Sequence, residues 1–143
     1  MPNKVAFFTV FYPEVEPYLE DFLTSLQRQT FKDFTLVIFN DGLEIEKLDN
    51  YGLDFRVFDA SGTPAKIRET GISYLREHDY DFIIFGDSDD FFAENRIEVS
   101  LDKLRAFDIV VNDLSLVDAS GATFESGYFS ARMTNNTQIW FEQ

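Results

Sequence analysis

Residues 87–90 read Asp-Ser-Asp-Asp, three carboxylates in four positions, directly after the apolar run DFIIF (81–85) and Gly86. Like charges that close are costly: at a surface-like effective dielectric, one pair about 4 Å apart repels by roughly 4 kcal/mol. Water absorbs that cost in a solvated turn, and a bound cation offsets it. Carboxylate oxygens are the donors preferred by hard divalent ions such as Mn²⁺ or Mg²⁺, which keep coordination positions open for phosphates. Asp87, Asp89 and Asp90 are therefore a candidate cation site. Gly86 is expected to let the backbone turn there, and Phe91 and Phe92 to anchor the loop back into the core.

The elements that must position this loop are legible as short apolar runs: VAFFTVF (5–11), FTLVIF (34–39), DFRVF (54–58), DFIIF (81–85) and FDIVV (107–111). Most are continuously apolar, as expected of parallel strands covered on both faces. Between them lie helical patterns. Residues 14–29 place Val15, Tyr18, Leu19, Phe22, Leu23 and Leu26 on one stripe, with Pro13 at a first helical position. Thr63 and Pro64 read as the N-cap and first position of a helix that lines up Ile67, Gly71 and Leu75. A third helix over about 94–105 carries Ile97, Leu101 and Leu104, and residues 43–50 could hold a short one. Beyond residue 112, LSLVD, GATFES and GYFSARM read as short strands, with a Ser-Gly turn that permits a hairpin. The closing stretch with Trp140 gives no pattern. Strand–helix alternation predicts an open, mostly parallel, twisted α/β sheet with right-handed crossovers, as one domain.

In such a sheet the carboxyl ends of the strands share one edge, and ligands bind in the crevice there. The five runs are succeeded in turn by Tyr12, by Asn40-Asp41, by Asp59, by Gly86 to Asp90, and by Asn112-Asp113. A single Asp or Asn after a strand is most often a turn former. Asp79-Tyr80-Asp81 repeats the Asp-x-Asp spacing but enters a strand, so a structural role is expected for it. Position and density distinguish residues 87–90. The quiet readings for His78, Lys66 and Asp113 are a helix C-terminal cap, a solvated helix face and a turn.

Composition excludes several classes. Among 143 residues, 45% are hydrophobic and 17% aromatic, which describes a packed protein. A formal charge of −14 argues against nucleic acid or an anionic membrane as partner, so a phosphorylated ligand would need a cation or well-placed arginines. Cysteine is absent, so there is no disulfide framework or thiolate metal site. The first residues do not resemble a signal peptide and no run is long enough to span a bilayer, so a cytoplasmic location is expected. A phosphotransfer receiver would need paired acids after the first strand and a late lysine; here Tyr12-Pro13 follow the first strand, and no lysine follows Lys103.

The ordered segments VAFFTVFYPEVEPYLEDFLTSLQRQTFKDF, TLVIFNDGLE, GTPAKIRETGI and DYDFIIFGDSDDFFAENRIE resemble the N-terminal portion of family-two glycosyltransferases of the GT-A fold. The resemblance implies transfer of a sugar from a nucleoside diphosphate, uridine- or guanosine-based, to an acceptor hydroxyl on a saccharide or lipid-linked molecule, with inversion at the anomeric carbon. It implies nucleoside contacts from Thr9, Val10 and Tyr12, base recognition by Asp41, and a diphosphate contact from Arg68. Asp87 and Asp89 take the Asp-x-Asp places: Asp89 would bind Mn²⁺ or Mg²⁺ directly, and Asp87, with Ser88 beside it, would reach ribose or sugar. The chain departs from the family at Asn40 and Leu43, where Asp and Ser are usual, and at Pro13 and Glu69, where Asn is usual. Family members carry their acceptor site and catalytic base further downstream. The chain is thus expected to be a fragment, its nucleotide-binding half at 1–112 and the start of an acceptor half at 113–143. The rival expectation is a catalytically incomplete nucleotide-binding or protein-interaction module of the same fold.

Overall fold

A computed structural model describes residues 2–46 and 48–132. The chain falls into two compact units that meet between Lys103 and Leu104. The first contains β1 (Val5–Phe11), β2 (Thr35–Asn40), β3 (Phe55–Asp59) and β4 (Phe82–Phe85), each within one residue of the run that predicted it. All pair in parallel, in the order β3-β2-β1-β4. From β1 the chain winds outward through β2 to β3, then returns to add β4 on the other side of β1. The direction of winding therefore reverses between β1 and β4, and in open α/β sheets the ligand crevice lies at that reversal.

Alternation along β1 assigns its two faces. Ala6 and Phe8 point into a core with Val37, Phe39, Ile67 and Leu75. This is the face covered by α2 (Pro64–Glu77), which starts as the sequence predicts, the Thr63 hydroxyl accepting from the Lys66 amide. Gly71 is what lets α2 lie so close, because a Cβ there would overlap the Phe8 ring. On the other face Phe7 and Phe11 meet Phe22 edge-on at 6.1 and 5.9 Å between centroids. Such pairs contribute about 0.5–1.5 kcal/mol each beyond burial. Phe22 belongs to α1 (Leu19–Gln27), which is shorter than the predicted 14–29. Pro17 cannot donate the bond an α-helix needs, so residues 13–18 tighten into a 3₁₀ turn. Tyr18 in consequence leaves the apolar stripe and is half-exposed. The short helix expected within 43–50 is a 3₁₀ turn at Leu48–Tyr51. Outer strands β3 and β4 are less covered than the sequence implied; Val57 and Phe85 are both exposed.

α3 (Arg96–Leu104) follows the acidic loop and buries Ile97 and Leu101. In the second unit, the run 107–111 is not a strand. Its apolar residues have no ladder partner among the described residues, and Phe107, Ile109 and Val111 are exposed. An apolar run states what could be buried, whereas a strand exists only where a neighbour takes its backbone bonds. The expected hairpin is present: β5 (Leu116–Val117) pairs antiparallel with β6 (Thr123–Glu125) around Gly121. GYFSARM, expected as a strand, instead contributes the one-turn helix α4 (Tyr128–Arg132). Asp113 fixes this from a distance, accepting bonds from the amides of Phe129 and Ser130 and from the Ser130 hydroxyl. Trp140 and its neighbours lie outside the described residues. Among the described residues no helix is long and apolar enough to cross a membrane.

Candidate functional site

The reversal between β1 and β4 brings Tyr12, which leaves β1, beside the loop that leaves β4. Ligand oxygens of Asp87, Asp89 and Asp90 lie within 4.8 Å of one another, and all three residues are exposed. The Tyr12 hydroxyl titrates above its ordinary value, first because the protein shields it from water, then because Asp89, Asp87 and Glu14 repel a phenolate. Arg68 opposes that shift, and its Nη2 stands 3.3 Å from Asp87 Oδ1. Tyr12, Arg68, Asp87 and Asp89 thus form one electrostatic cluster assembled from the end of β1, from α2 and from the loop after β4. Asp90 titrates above the usual carboxylate range, through partial desolvation first and then through Asp89 and Asp87, with Arg96 opposing. Three converging carboxylates supply only hard oxygen donors, a set that fits Mn²⁺ or Mg²⁺ and disfavours softer metals.

The loop is built to hold that shape. Gly86 is required for closeness, not for a turn: a Cβ there would collide with the rings of Phe7 and Phe92. Ser88 points inward, 1% exposed, and its hydroxyl donates to the Val10 carbonyl at 2.7 Å, tying the loop to β1. Phe92 is the aromatic anchor, packed on Phe7 and Phe22 with centroids 5.2 and 5.7 Å away. Phe91, expected beside it in the core, is 49% exposed. Thr9 is 1% exposed and its hydroxyl has no hydrogen-bond partner among the described residues. Ser88 and Thr9 are therefore buried and do not line the surface, while Val10 is partly covered and supplies the carbonyl that holds Ser88.

Asp41 sits at the end of β2, adjacent to β1, with its amide bonded to the Phe11 carbonyl at 2.7 Å. The amide at position 40 has a structural reason. Asn40 Nδ2 donates to the Leu43 carbonyl at 2.8 Å, and its Oδ1 accepts from the Leu43 amide at 3.0 Å. A carboxylate could accept but not donate. The pair of bonds seats Leu43 in the core, 7% exposed, which also accounts for an apolar residue at that position. Asp59 ends β3, opposite Asn40 in register and two strands from β1. Lys66 pairs with Glu69 at 2.8 Å on the solvated face of α2. His78 is the C-cap of that helix, stacked on Tyr74 with its Nδ1 2.8 Å from the Tyr74 carbonyl.

Two residues that matter to the loop escape sequence reasoning. Gln29 is fully buried and bridges elements: its Nε2 donates to the Ala93 carbonyl and its Oε1 accepts from the Ile97 amide. Arg96 reaches back from the start of α3 so that Nη2 donates to the Phe85 carbonyl at 2.6 Å. Gln29 offers no signal beyond being polar just past a helix. Arg96 offers one, because a cation is disfavoured at the positive end of a helix.

A parallel sheet whose polar strand ends converge at the β1/β4 reversal defines the class: a GT-A, Rossmann-like fold of the nucleotide-diphospho-sugar transferase type. The chain belongs to glycosyl transferase family 2, whose family model matches residues 7–142. Among solved structures, S. aureus TarS is similar at 24% identity with a TM-score of 0.57, over 71% of this chain and 19% of that one. TarS 1–349 in complex with UDP is 23% identical with a TM-score of 0.57, over 71% of this chain and 32% of that one. TarS 1–349 in complex with UDP-GlcNAc is 24% identical with a TM-score of 0.58, over 71% and 31%. At this identity the likeness is one of fold, and the chain spans 19% to 32% of the length of these solved chains. No curated protein gives a significant sequence match.

Proposed function

We propose that this chain carries the donor-binding part of an inverting glycosyltransferase, which moves a sugar from a nucleoside diphosphate to an acceptor hydroxyl with the help of Mn²⁺ or Mg²⁺. One observation carries the reading: the fold brings Tyr12, Arg68, Asp87 and Asp89 together at the winding reversal, with the carboxylate oxygens of residues 87, 89 and 90 within 4.8 Å. The TarS complexes with UDP and UDP-GlcNAc, in a protein of the same fold, support a nucleotide-sugar ligand.

In this reading Tyr12, with Thr9 and Val10 behind it, lines the nucleoside, and Asp41 at the neighbouring strand end accepts from the base. Breaking the bond from the anomeric carbon to the β-phosphate places negative charge on the leaving diphosphate. Arg68 donates charge-assisted bonds to it. Asp89, aided by Asp87 and Asp90, would hold the divalent ion, whose Lewis acidity stabilises that same charge. A cation held there would reconcile a net charge of −14 with an anionic ligand. Asp87 can turn towards ribose or sugar once Arg68 is drawn to phosphate. Residues 1–112 form the nucleotide-binding half in this scheme and 113–143 begin the acceptor half. Asp113 is not assigned as the base, since its carboxylate is committed to the amides of Leu114, Phe129 and Ser130.

The test is release of nucleoside diphosphate from a panel of UDP- and GDP-sugars incubated with the chain and Mn²⁺, in the presence and absence of saccharide acceptors. Release from at least one donor, lost with Asp89→Ala, is expected. Binding without release would favour the incomplete module, and neither binding nor release would reject the donor-site assignment.

A further inference from the structure

We propose that Arg96 is the positioning residue of the acidic loop: its guanidinium ties the last carbonyl of β4 to the ring of Phe92 and so sets the spacing of Asp87, Asp89 and Asp90. The proposal rests on reading that loop as a cation and diphosphate site.

The side chain grips both ends of one segment. At one end Nη2 donates to the carbonyl of Phe85, the residue before Gly86. At the other the guanidinium carbon stands 4.5 Å over the ring of Phe92, two residues after Asp90, and 5.8 Å from that of Phe7. Stacking on an aromatic face and donating in the guanidinium plane use different parts of the group, so both contacts hold at once. The segment between is short, internally closed by the Asp90 amide on the Asp87 carbonyl at 3.2 Å and pinned in the middle by Ser88. Gln29 independently fixes the chain beyond the loop, at Ala93 and Ile97. Arg96 is therefore the side chain that spans the two ends of the loop's carboxylate-bearing stretch.

Arg96 is poorly explained as packing. It starts a helix, where a positive charge is disfavoured, and its Nε is buried without a hydrogen-bond partner among the described residues. An apolar side chain would cover Phe7 and Phe92 without either cost. What it could not supply is the bond to the Phe85 carbonyl together with a positive charge that faces Asp90 and Asp87. Lysine would keep the charge but lose the planar fork.

Binding of Mn²⁺ alone, followed through the EPR signal of the free ion, tests this without any turnover. Removing a positive charge would by itself strengthen cation binding, so charge and positioning predict opposite signs. Arg96→Met is expected to weaken Mn²⁺ by about tenfold or more, the usual cost of losing an outer-shell partner, and Arg96→Lys by about threefold or more. Ile67→Val, a core change on the buried face of α2, should lower the melting temperature and leave Mn²⁺ affinity unchanged. Without any ion, amides of residues 86–92 should exchange about tenfold faster in both Arg96 variants while those of α2 do not change. Wild-type or tighter Mn²⁺ binding with unaltered loop exchange in Arg96→Met would overturn the proposal, as would an equal loss of Mn²⁺ in Ile67→Val. Absence of Mn²⁺ binding by the wild type, or its persistence in Asp89→Ala, would instead reject the cation reading; loop exchange then still decides the role of Arg96.

Discussion

β4 is flanked by the same spacing at both ends, Asp79-Tyr80-Asp81 before it and Asp87-Ser88-Asp89 after it. Before the strand, every member is engaged locally. Asp79 takes the left-handed turn that leaves α2 (φ 56°), and Asp81 accepts from the Lys4 amide at 2.7 Å. Tyr80 lies under Lys4 Nζ, which also donates to the His78 carbonyl. After the strand, Ser88 alone turns inward, and the flanking carboxylates converge on one another and on Arg68 and Tyr12. The difference comes from chain direction. Parallel strands put all their carboxyl ends on the edge where the crevice lies, so the acids there face it together, whereas at the amino end of β4 Asp79 is used by the turn that leaves α2 and Asp81 by the Lys4 amide.

The largest effect that could break this contrast is chelation. EDTA is expected to lower the affinity for UDP or GDP by about 100-fold, or about 2.7 kcal/mol, because the ion would supply the positive charge that the carboxylates lack. Affinity unchanged by EDTA would make the two Asp-x-Asp copies equivalent. Next comes the backbone around the rim. Gly71→Ala should destabilise by about 1–3 kcal/mol in chemical denaturation, because overpacking against Phe8 outweighs the gain of about 1 kcal/mol that alanine brings to a helix interior. A net gain in stability would mean that Phe8 moves aside freely. Asn40→Asp should cost about 1 kcal/mol, since it removes the donor to the Leu43 carbonyl. That residue is a rim position used for structure, and nucleotide affinity should change little.

A pH titration separates the second unit from the rim. The Ser130 hydroxyl first, then the amides of Phe129, Leu114 and Ser130, hold the Asp113 carboxyl below the usual range. A depressed folded pKa gives stability that is present above the unfolded value and lost as pH falls through the folded one. Protection of the amides of residues 128–132, taken relative to their intrinsic exchange rates, should therefore fall once pH drops below about 4, and Asp113→Asn should blunt that dependence. The smallest effect belongs to the structural copy. Asp79→Gly should be neutral or stabilising by up to about 1 kcal/mol, because glycine adopts positive φ without strain.

Local signals were legible where they suffice to form the element. Thr63-Pro64 start α2 because a cap and a fixed φ act within one turn, and the four buried runs became strands because each found a neighbour. The run 107–111 carried the same apolar signal without a described partner, and α4 forms where Asp113, far back in sequence, caps it. The rim followed from the strand order together with the family resemblance. The supports of the rim were hidden for a physical reason: Arg96, Ser88 and Gln29 all bond to backbone groups, so their partners leave no mark in side-chain patterns, and the one trace is the unusual charge of Arg96 at a helix start.

The most direct test sets the two copies side by side: calorimetric titration of UDP and GDP, each with and without Mn²⁺, into Asp89→Ala and Asp79→Ala. Asp89→Ala should bind nucleotide no better with Mn²⁺ than without it, while Asp79→Ala should keep the full wild-type enhancement. Equal losses in the two variants, or an enhancement that survives in Asp89→Ala, would contradict the cation reading.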